Sequence, residues 1–424
     1  MTLQSYASNP KKSIFADSEL KTDKLTTKNR QVPDKFPMQN FEYHCPTRLI
    51  FGRGAIEKLP RVLAGFGKKV LLTYGGGSIK KMGLYQKVLA LLPDKEIIEL
   101  PGIQPNPKYD PSVLDGVRLC KEHKVDVILA VGGGSVLDCS KAIAAGACYD
   151  GDPWDLITRK AKAQAALPIV DILTLAATGS EYDIYGVISR TDTNDKIGYG
   201  DPHLWPVVSF LDPEYTFTVS RGQTAAGIAD AMNHTIEQYF TGDTTLLNDG
   251  FCESMLRSLM ENGRRCLADP EDYTARAEMM LACSYGCNGI LALGNSPSGW
   301  PCHAIEHALS AYYDITHGWG LAIITPHWMQ KILSERTLPR FVKYGVNVFG
   351  IDASLPAPEI ARRAIDATFA FFESIGIPMH LRELGIDDSR IDEMARHIAL
   401  NEGLDQAWVP LSESDIADII RESL

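Results

Sequence analysis

Two apolar strand patterns that each run into a glycine triplet constrain the fold more than any other feature of this chain. Residues 69–74 lead into Gly-Gly-Gly-Ser at 75–78, and residues 125–131 lead into Gly-Gly-Gly-Ser at 132–135, where a helical pattern begins. A glycine turn between a strand and a helix N-terminus presents backbone N–H groups that can hold a pyrophosphate. One triplet is also compatible with a simple tight turn, whereas two in an alternating β/α region favour a nucleotide-binding sheet.

The order of the elements predicts two domains. Short apolar strands alternate with helices up to about residue 218, and the strand candidates are 48–51, 69–74, 96–100, 125–131 and 169–175. A second set, 186–189 with 207–211, is predicted to form a small antiparallel addition. Helical periodicity dominates from residue 223 onward, at 249–266, 273–293 and 357–374. We therefore predict a Rossmann-like parallel-sheet cofactor domain over residues 38–218 and an all-helical metal-binding domain over residues 219–424, although neither triplet fits the common G-x-G-x-x-G fingerprint.

The helical half contains a spacing that is typical of metal ligands. Asp230 and His234 are four residues apart, so on a helix their side chains leave the same face about 6 Å apart. His303 and His317 follow in a second segment, and one carboxylate with imidazoles suits a divalent transition metal. The same residues are also compatible with a solvated helix face, with a separate His303–His307 pair, or with His317 as the last residue of a helix.

Composition disfavours several classes of partner. The net charge is −11 and the sequence pI is about 5.4, which disfavours nucleic acid and anionic membrane. The chain has no apolar run of membrane-spanning length. Nine scattered cysteines without Cys-x2-Cys pairing are typical of reduced thiols, so we predict a cytoplasmic protein. Residues 1–37 are polar and lack the apolar stretch of a secretory signal, and we predict that they form a disordered extension.

Several motifs together resemble the iron-type (group III) alcohol dehydrogenase family. Residues 132–141, Gly-Gly-Gly-Ser-Val-Leu-Asp-Cys-Ser-Lys, are similar to the family signature GGGSxxDxxK. Further similar segments are 102–107, Thr-Gly-Ser-Glu at 178–181, Asp230-x3-His234, and His303-x3-His307-x9-His317-Gly318. The similarity extends from about Met38 to the end. It is closest to the branch of NADPH-dependent aldehyde reductases and butanol dehydrogenases, which the segments 46–56 and 152–154 also resemble.

The resemblance implies a set of functional residues. The metal ligands would be Asp230, His234, His303 and His317, and the ion would be Fe²⁺ or Zn²⁺, whose residual positive charge stabilises negative charge on a substrate oxygen. His307, one turn past His303, would relay a proton, and its alternative role is packing. The residues implied to contact the cofactor, or proposed to do so from the glycine runs, are Gly76, Gly77, Ser78, Asn106, Gly133, Gly134, Ser135, Asp138, Thr174, Thr178 and Lys196.

The cofactor is predicted to be NADP(H), because the strand that ends at residue 74 is not followed by an acidic residue. An acid at that place in NAD-preferring relatives would repel a 2′-phosphate. Here glycine amides and the Ser78 hydroxyl can face that phosphate, and Lys80 or Lys81 can add positive charge. The alternative is a glycine-rich turn whose lysines are solvated.

The resemblance implies a metal-dependent NADP(H)-linked alcohol dehydrogenase or aldehyde reductase that acts on short-to-medium aliphatic aldehydes and alcohols. It also implies a homodimer, in which the apolar edge segment 47–51 would pair. One alternative is an NAD- and metal-dependent lyase similar to dehydroquinate synthase, which the four-ligand set and the acidic chain disfavour. Another is a non-catalytic nucleotide-binding regulator of the same fold, although all four ligand positions are filled. The aromatic residues at 182 and 185 depart from the family pattern and leave substrate preference open.

Overall fold

A six-stranded parallel sheet organises the first half of the protein. The structure is a computed structural model and describes residues 38–424. The strand order is β1-β8-β5-β4-β2-β3, and β6 and β7 form a separate antiparallel hairpin. The strands are β1 Arg48–Phe51, β2 Lys69–Tyr74, β3 Glu96–Leu100, β4 Val127–Gly132, β5 Ile169–Leu173, β6 Tyr185–Arg190, β7 Asp195–Gly200 and β8 Val208–Leu211. The extension predicted at residues 1–37 lies outside the described residues.

Helices cover both faces of the sheet and make up the second half of the described chain. The helices before β8 are α1 Leu59–Leu63, α2 Ser78–Lys81, α3 Leu84–Leu91, α4 Leu114–His123, α5 Gly134–Ala147 and α6 Pro153–Ile157. Those after β8 are α7 Arg221–Tyr239, α8 Leu246–Ala268, α9 Tyr273–Tyr285, α10 Pro301–Tyr313, α11 His317–Ile332, α12 Leu338–Phe349, α13 Ala357–Ser374, α14 Ile391–Asn401 and α15 Glu413–Glu422. Among residues 38–424, no helix combines the length and apolar character of a membrane span.

The central strands are apolar throughout because both of their faces are covered. Along β4, Ile128 and Ala130 pack in one cluster with α4 and α5, while Val127 and Leu129 pack in the opposite cluster with α1 and α3. All six residues of β4 are buried. The predicted fold class, a parallel α/β sheet followed by helices, is confirmed, whereas the boundaries at 37/38 and 218/219 remain predictions.

Two details of the predicted elements are wrong. Residues 207–211 do not join an antiparallel addition, because β8 lies inside the main sheet, parallel to β1 and β5. The partner of β6 is β7, whose sequence Asp-Lys-Ile-Gly-Tyr-Gly shows no strand pattern. The helix predicted over 273–293 ends at Tyr285, and a turn containing Gly289 at a φ of 91° follows.

The carboxyl edge of the sheet meets the helical half at a close seam. A Cβ added to Gly227 of α7 would lie 2.5 Å from the carbonyl oxygen of Ala176, in the loop after β5, so this approach requires glycine. In the same loop region, the Glu181 carboxylate accepts a 2.5 Å hydrogen bond from Ser284 of α9. The β6–β7 hairpin also packs against α10. Loops that follow the strands are thereby placed beside the ligand candidates of the helical half.

Candidate metal centre and cofactor cleft

Four side chains that are far apart in the sequence converge in the helical half. The Oδ1 atom of Asp230 lies 3.4 Å from Nε2 of His234 and 3.6 Å from Nε2 of His317. The same atom lies 3.9 Å from Nε2 of His303. Asp230, His234 and His303 are buried, and His317 is half-buried. The structure therefore brings together the four residues that were proposed as metal ligands.

Three helices supply these side chains. Asp230 and His234 lie one turn apart in the buried middle of α7, whose first turn is capped by the Ser220 hydroxyl. His303 lies in the first turn of α10, which begins with a proline at residue 301. His317 is the first residue of α11, so the alternative that it ends a helix is wrong. Ligand atoms of Asp230, His303 and His317 thereby lie within 4.8 Å of one another, and His234 lies beside this group through its contact with Asp230.

The approach of α11 to α7 depends on a glycine. A Cβ at Gly318, next to His317, would overlap the main-chain carbonyl of Ala226, one turn before Asp230 in α7. The two helices therefore touch through their main chains at this point. This contact determines how far His317 lies from Asp230.

The four donors fit a divalent transition metal. Oδ1 of Asp230 and Nε2 of His303 are buried without a hydrogen-bond partner in the described protein, a state that costs about 1–3 kcal/mol per atom unless a ligand compensates. The rings of His234 and His303 stack with centroids 4.8 Å apart. Burial lowers the pKa of His234 to about 3, despite the nearby Asp230, so its imidazole is neutral as a metal ligand must be. One carboxylate and three neutral imidazoles suit iron or zinc.

Two buried glutamates outside the predicted ligand set fix the tautomers of two candidate ligand histidines. Glu237 contacts Nδ1 of His303, and Glu306 contacts Nδ1 of His317. A carboxylate at Nδ1 keeps the imidazole proton there and leaves the Nε2 lone pair toward Asp230. Glu237 lies one turn past His234, and this spacing is the only sequence signal that points to it.

His307 lies beside the ligand cluster without belonging to it. Its ring centroid is 5.6 Å from that of His317 and 6.2 Å from that of His303. Burial, together with the Lys196 ammonium, lowers its pKa well below the usual range, so its imidazole is neutral. The Nε2 atom has no partner in the described protein. His307 is therefore in place to exchange a proton near the cluster, and its relay role remains a prediction.

The glycine loops predicted to bind the cofactor lie at one edge of the sheet. Strands β2, β4 and β5 are neighbours, so the segments that follow them are adjacent. Gly133 precedes α5 without a side-chain cap. A Cβ at Gly134 would lie 2.5 Å from the Thr178 side chain, so this close packing of two loops excludes larger residues. Thr174, which follows β5, donates its N–H to the Gly132 carbonyl. Partly exposed Gly133 and Ser135 leave the start of α5 open to a phosphate.

The loop after β2 is open and lies beside a positive charge. A Cβ at Gly76 would meet no atom within 4 Å, and Gly77 has a φ of 103° that favours glycine. The Lys80 ammonium lies over the Tyr74 and Tyr85 rings, 5.0 and 4.5 Å from their centroids. Ser78 begins the short helix α2 that carries this lysine.

Two other predicted cofactor residues, Asp138 and Asn106, already have protein partners. Both carboxylate oxygens of Asp138 accept hydrogen bonds, from the Ser180 hydroxyl at 2.7 Å and the Val187 N–H at 3.0 Å. Burial raises the pKa of Asp138 to about 7. The Asn106 amide donates to Asp314 at 3.0 Å. These contacts position loops around the cleft, and direct contacts of Asp138 and Asn106 with a cofactor remain predictions.

Lys196 lies on the β6–β7 hairpin and not on a loop that follows a strand of the main sheet. It projects from β7 to the metal-ligand cluster, where its Nζ lies 3.1 Å from Oε2 of Glu306. Its side chain is buried, and no sequence pattern announces this pairing. Lys196 therefore joins the α/β half to the ligand cluster, and its contact with a cofactor ribose remains a prediction.

The fold and the ligand cluster together are those of an oxidoreductase of the alcohol dehydrogenase class. Residues 46–213 match the description "iron-containing alcohol dehydrogenase", and residues 224–424 match the C-terminal part of the same family. The chain belongs to the iron-containing alcohol dehydrogenase family.

The similarity to known proteins extends over nearly the whole chain. NADH-dependent butanol dehydrogenase A of Clostridium acetobutylicum is 47% identical, with 91% of this chain and all of that protein covered. NADPH-dependent aldehyde reductase YqhD of Escherichia coli is 40% identical, with 85% of this chain and 93% of that protein covered. The crystal structure of NADH-dependent butanol dehydrogenase A of Thermotoga maritima superimposes with a TM-score of 0.87 at 37% identity, covering 91% of this chain and 99% of that one.

Proposed function

We propose that this protein is a metal-dependent, NADP(H)-linked alcohol dehydrogenase that works as an aldehyde reductase on short-to-medium aliphatic substrates. The observation that carries the proposal is the convergence of Asp230 and three histidines, with unpartnered donor atoms, beside the glycine loops of a parallel sheet. Ligands of α/β folds bind at the carboxyl ends of the strands, which is where this cluster meets the sheet.

The residues around the cluster support reduction of a carbonyl group. A divalent ion, Fe²⁺ or Zn²⁺, held by Asp230, His234, His303 and His317 would stabilise negative charge on the substrate oxygen. Glu237 and Glu306 hold the Nδ1 protons of two ligand imidazoles. His307, whose Nε2 has no partner in the described protein, is placed to relay a proton to the substrate oxygen, because the ring can accept a proton from water at one nitrogen while it releases one from the other. Burial of the cluster excludes bulk water and strengthens these electrostatic interactions.

The surroundings of β2 favour NADP(H) over NAD(H). No acidic residue follows the strand, and Lys80 is held by two tyrosine rings near residues 76–78. The acid on the neighbouring strand, Glu99, accepts hydrogen bonds from Tyr74 at 2.5 Å and Tyr85 at 2.7 Å. That carboxylate is therefore engaged by phenol groups. The relatives named above include both NADH- and NADPH-dependent enzymes, so the preference rests on these residues.

Anaerobic purification followed by metal analysis and cofactor kinetics tests the proposal. We expect one equivalent of iron or zinc, aldehyde-dependent oxidation of NADPH, and a higher kcat/KM for NADPH than for NADH across an aliphatic aldehyde series. Protein that binds NADPH but contains no metal and shows no turnover would instead support the regulator alternative. Higher kcat/KM with NADH would contradict the cofactor assignment only.

The proposal extends to assembly and location. We propose that the protein is a cytoplasmic homodimer. It binds a small aldehyde or alcohol, and it does not bind nucleic acid or membranes. All nine cysteines are free thiols in the described structure, which is typical of a reducing compartment. The net charge of −11 provides no positive electrostatic potential that would attract polyanions.

A further inference from the structure

The two glutamates that contact ligand histidines have different surroundings. Glu237 accepts hydrogen bonds from the Cys302 and His303 N–H groups at 2.6 and 3.4 Å, so its other partners belong to the main chain of α10. Glu306 instead contacts the Lys196 ammonium at 3.1 Å and the Ser310 hydroxyl. Both glutamates are fully buried. Glu306 is therefore the member of the pair that links a ligand histidine to another charged side chain.

Lys196 reaches Glu306 from the other half of the molecule. It lies on β7, and its Nζ is 3.3 Å from Nδ1 of His317 as well as 3.1 Å from Glu306. The Nδ1 proton of His317 is directed to Glu306, so the ammonium cannot donate to that nitrogen and is held by the carboxylate. An ammonium has three donors, and Glu306 occupies one of them.

We propose that Glu306 is a positioning residue that couples occupation of the cofactor site to occupation of the metal site. A cofactor hydroxyl that accepts from Lys196 fixes the ammonium, the ammonium fixes Glu306, and Glu306 fixes the His317 ring that faces Asp230. Whichever ligand binds first orders the Lys196, Glu306 and His317 side chains. The second ligand then binds without that entropic cost, and therefore more tightly. Linkage requires the metal to strengthen cofactor binding by the same factor. The inference rests on the proposed function, because it takes Lys196 to face the cofactor.

The test measures metal affinity of the apoprotein rather than turnover. Zn²⁺ is titrated against a chromophoric chelator, with and without saturating NADPH, and NADPH binding is followed separately by its fluorescence. For the unmodified protein we expect NADPH to tighten Zn²⁺ binding by about fivefold or more. Reduced cofactor is used because the positive ring of NADP⁺ would repel the ion.

Matched variants separate coupling from simple support of a ligand. Glu237→Gln and Glu306→Gln should each weaken Zn²⁺ binding by roughly 10-fold or more, because each removes a carboxylate from a ligand histidine. Only Glu306→Gln should abolish the effect of NADPH on Zn²⁺ affinity. Lys196→Met should abolish that effect while leaving Glu306 in contact with His317. Circular dichroism spectra confirm that each variant is folded.

Each other result decides against the coupling. If the NADPH effect survives in Glu306→Gln and Lys196→Met, or disappears equally in Glu237→Gln, the coupling does not pass through Glu306. If the unmodified protein binds NADPH and Zn²⁺ independently, the inference is wrong while the proposed function stands. If NADPH does not bind at all, the proposed function fails and the inference fails with it.

Discussion

At the residue scale, two histidines one helical turn apart are expected to have separable roles. His303 faces Asp230 through Nε2 and Glu237 through Nδ1, whereas His307 faces neither. We expect His303→Ala to lower metal content and abolish activity, because a ligand position is emptied. We expect His307→Ala to retain the metal and lose about 10²-fold in kcat, as removal of a proton-transfer group does. Metal content by mass spectrometry and steady-state kinetics check both, and equal metal loss would show that the roles are exchanged.

Gly76 offers a test of cofactor preference at a position that tolerates a side chain. Its backbone does not need glycine and the space around it is open. Gly76→Asp should lower the ratio of kcat/KM for NADPH to that for NADH by about tenfold or more, because a carboxylate repels a 2′-phosphate. Gly76→Asn, of nearly equal volume but uncharged, is the control. Similar ratios in the two variants would attribute the change to bulk rather than charge.

The residues that converge at the candidate metal centre could be predicted from the sequence, but the glutamates that contact them could not. Asp230 and His234 follow from helical spacing within one segment, and the family motif added His303 and His317. Glu237 and Glu306 act through contacts that exist only after α7, α10 and α11 have packed together. Apart from the one-turn spacing of Glu237 from His234, nothing in the local pattern distinguishes these buried glutamates from ordinary helix surface residues.

At the element scale, the edge strand β1 carries the prediction of a dimer. Arg48 donates its N–H to the carbonyl of Val207, just before β8, and Gly52 donates to Leu211 of β8, so the alternation of the strand directs the N–H of Phe51 away from the sheet. Phe51 is 43% exposed. Phe51→Pro removes this outward donor and takes none from the pairing of β1 with β8, and we expect it to weaken a homodimer by at least about tenfold if β1 pairs across the interface.

Light scattering at micromolar concentration measures this effect. Phe51→Thr keeps the N–H group while changing the side chain, so it should remain dimeric. A monomeric unmodified protein would refute the dimer, and a dimeric Phe51→Pro variant would place the interface elsewhere.

Strand placement shows where local patterns stop being informative. The apolar pattern of residues 207–211 predicts a strand, but its position between β1 and β5 depends on the crossover of the chain, which no local pattern encodes. β7 was missed because two of its six residues are glycine and two are charged, a composition that usually favours turns. Its cross-strand pairing with β6 and its packing on α10 override that preference.

At the scale of the whole molecule, buried acids at the seam should make stability depend on pH. Burial raises the pKa of Glu181 from 4.5 to about 7, although Ser284 lowers it in part. The folded protein therefore binds a proton that the unfolded chain releases, and Glu181 lowers stability as pH rises from about 4.5 through 7. Glu181→Gln removes this ionisable group and keeps a side-chain oxygen that can accept the hydrogen bond from Ser284. We expect the variant to be more stable at pH 8 by about 1–3 kcal/mol.

Thermal midpoints of both proteins between pH 5 and pH 8 test this expectation. The advantage of Glu181→Gln should grow with pH, because the unmodified carboxyl loses its proton over that range. Destabilisation of equal size at every pH would instead show that Glu181 is ionised throughout and needed as a negative charge near Lys141.

The main-chain contact between Gly318 and Ala226 affects which ions the candidate metal centre can accept. His317 is kept near Asp230 by backbone touching backbone, and not by a side chain that substitution could shorten or lengthen. The distance between His317 and Asp230 is therefore set by the packing of α11 on α7. A substitution in the lining of the site should therefore leave the distance between these two residues, and the range of ionic radii that fits between them, nearly unchanged.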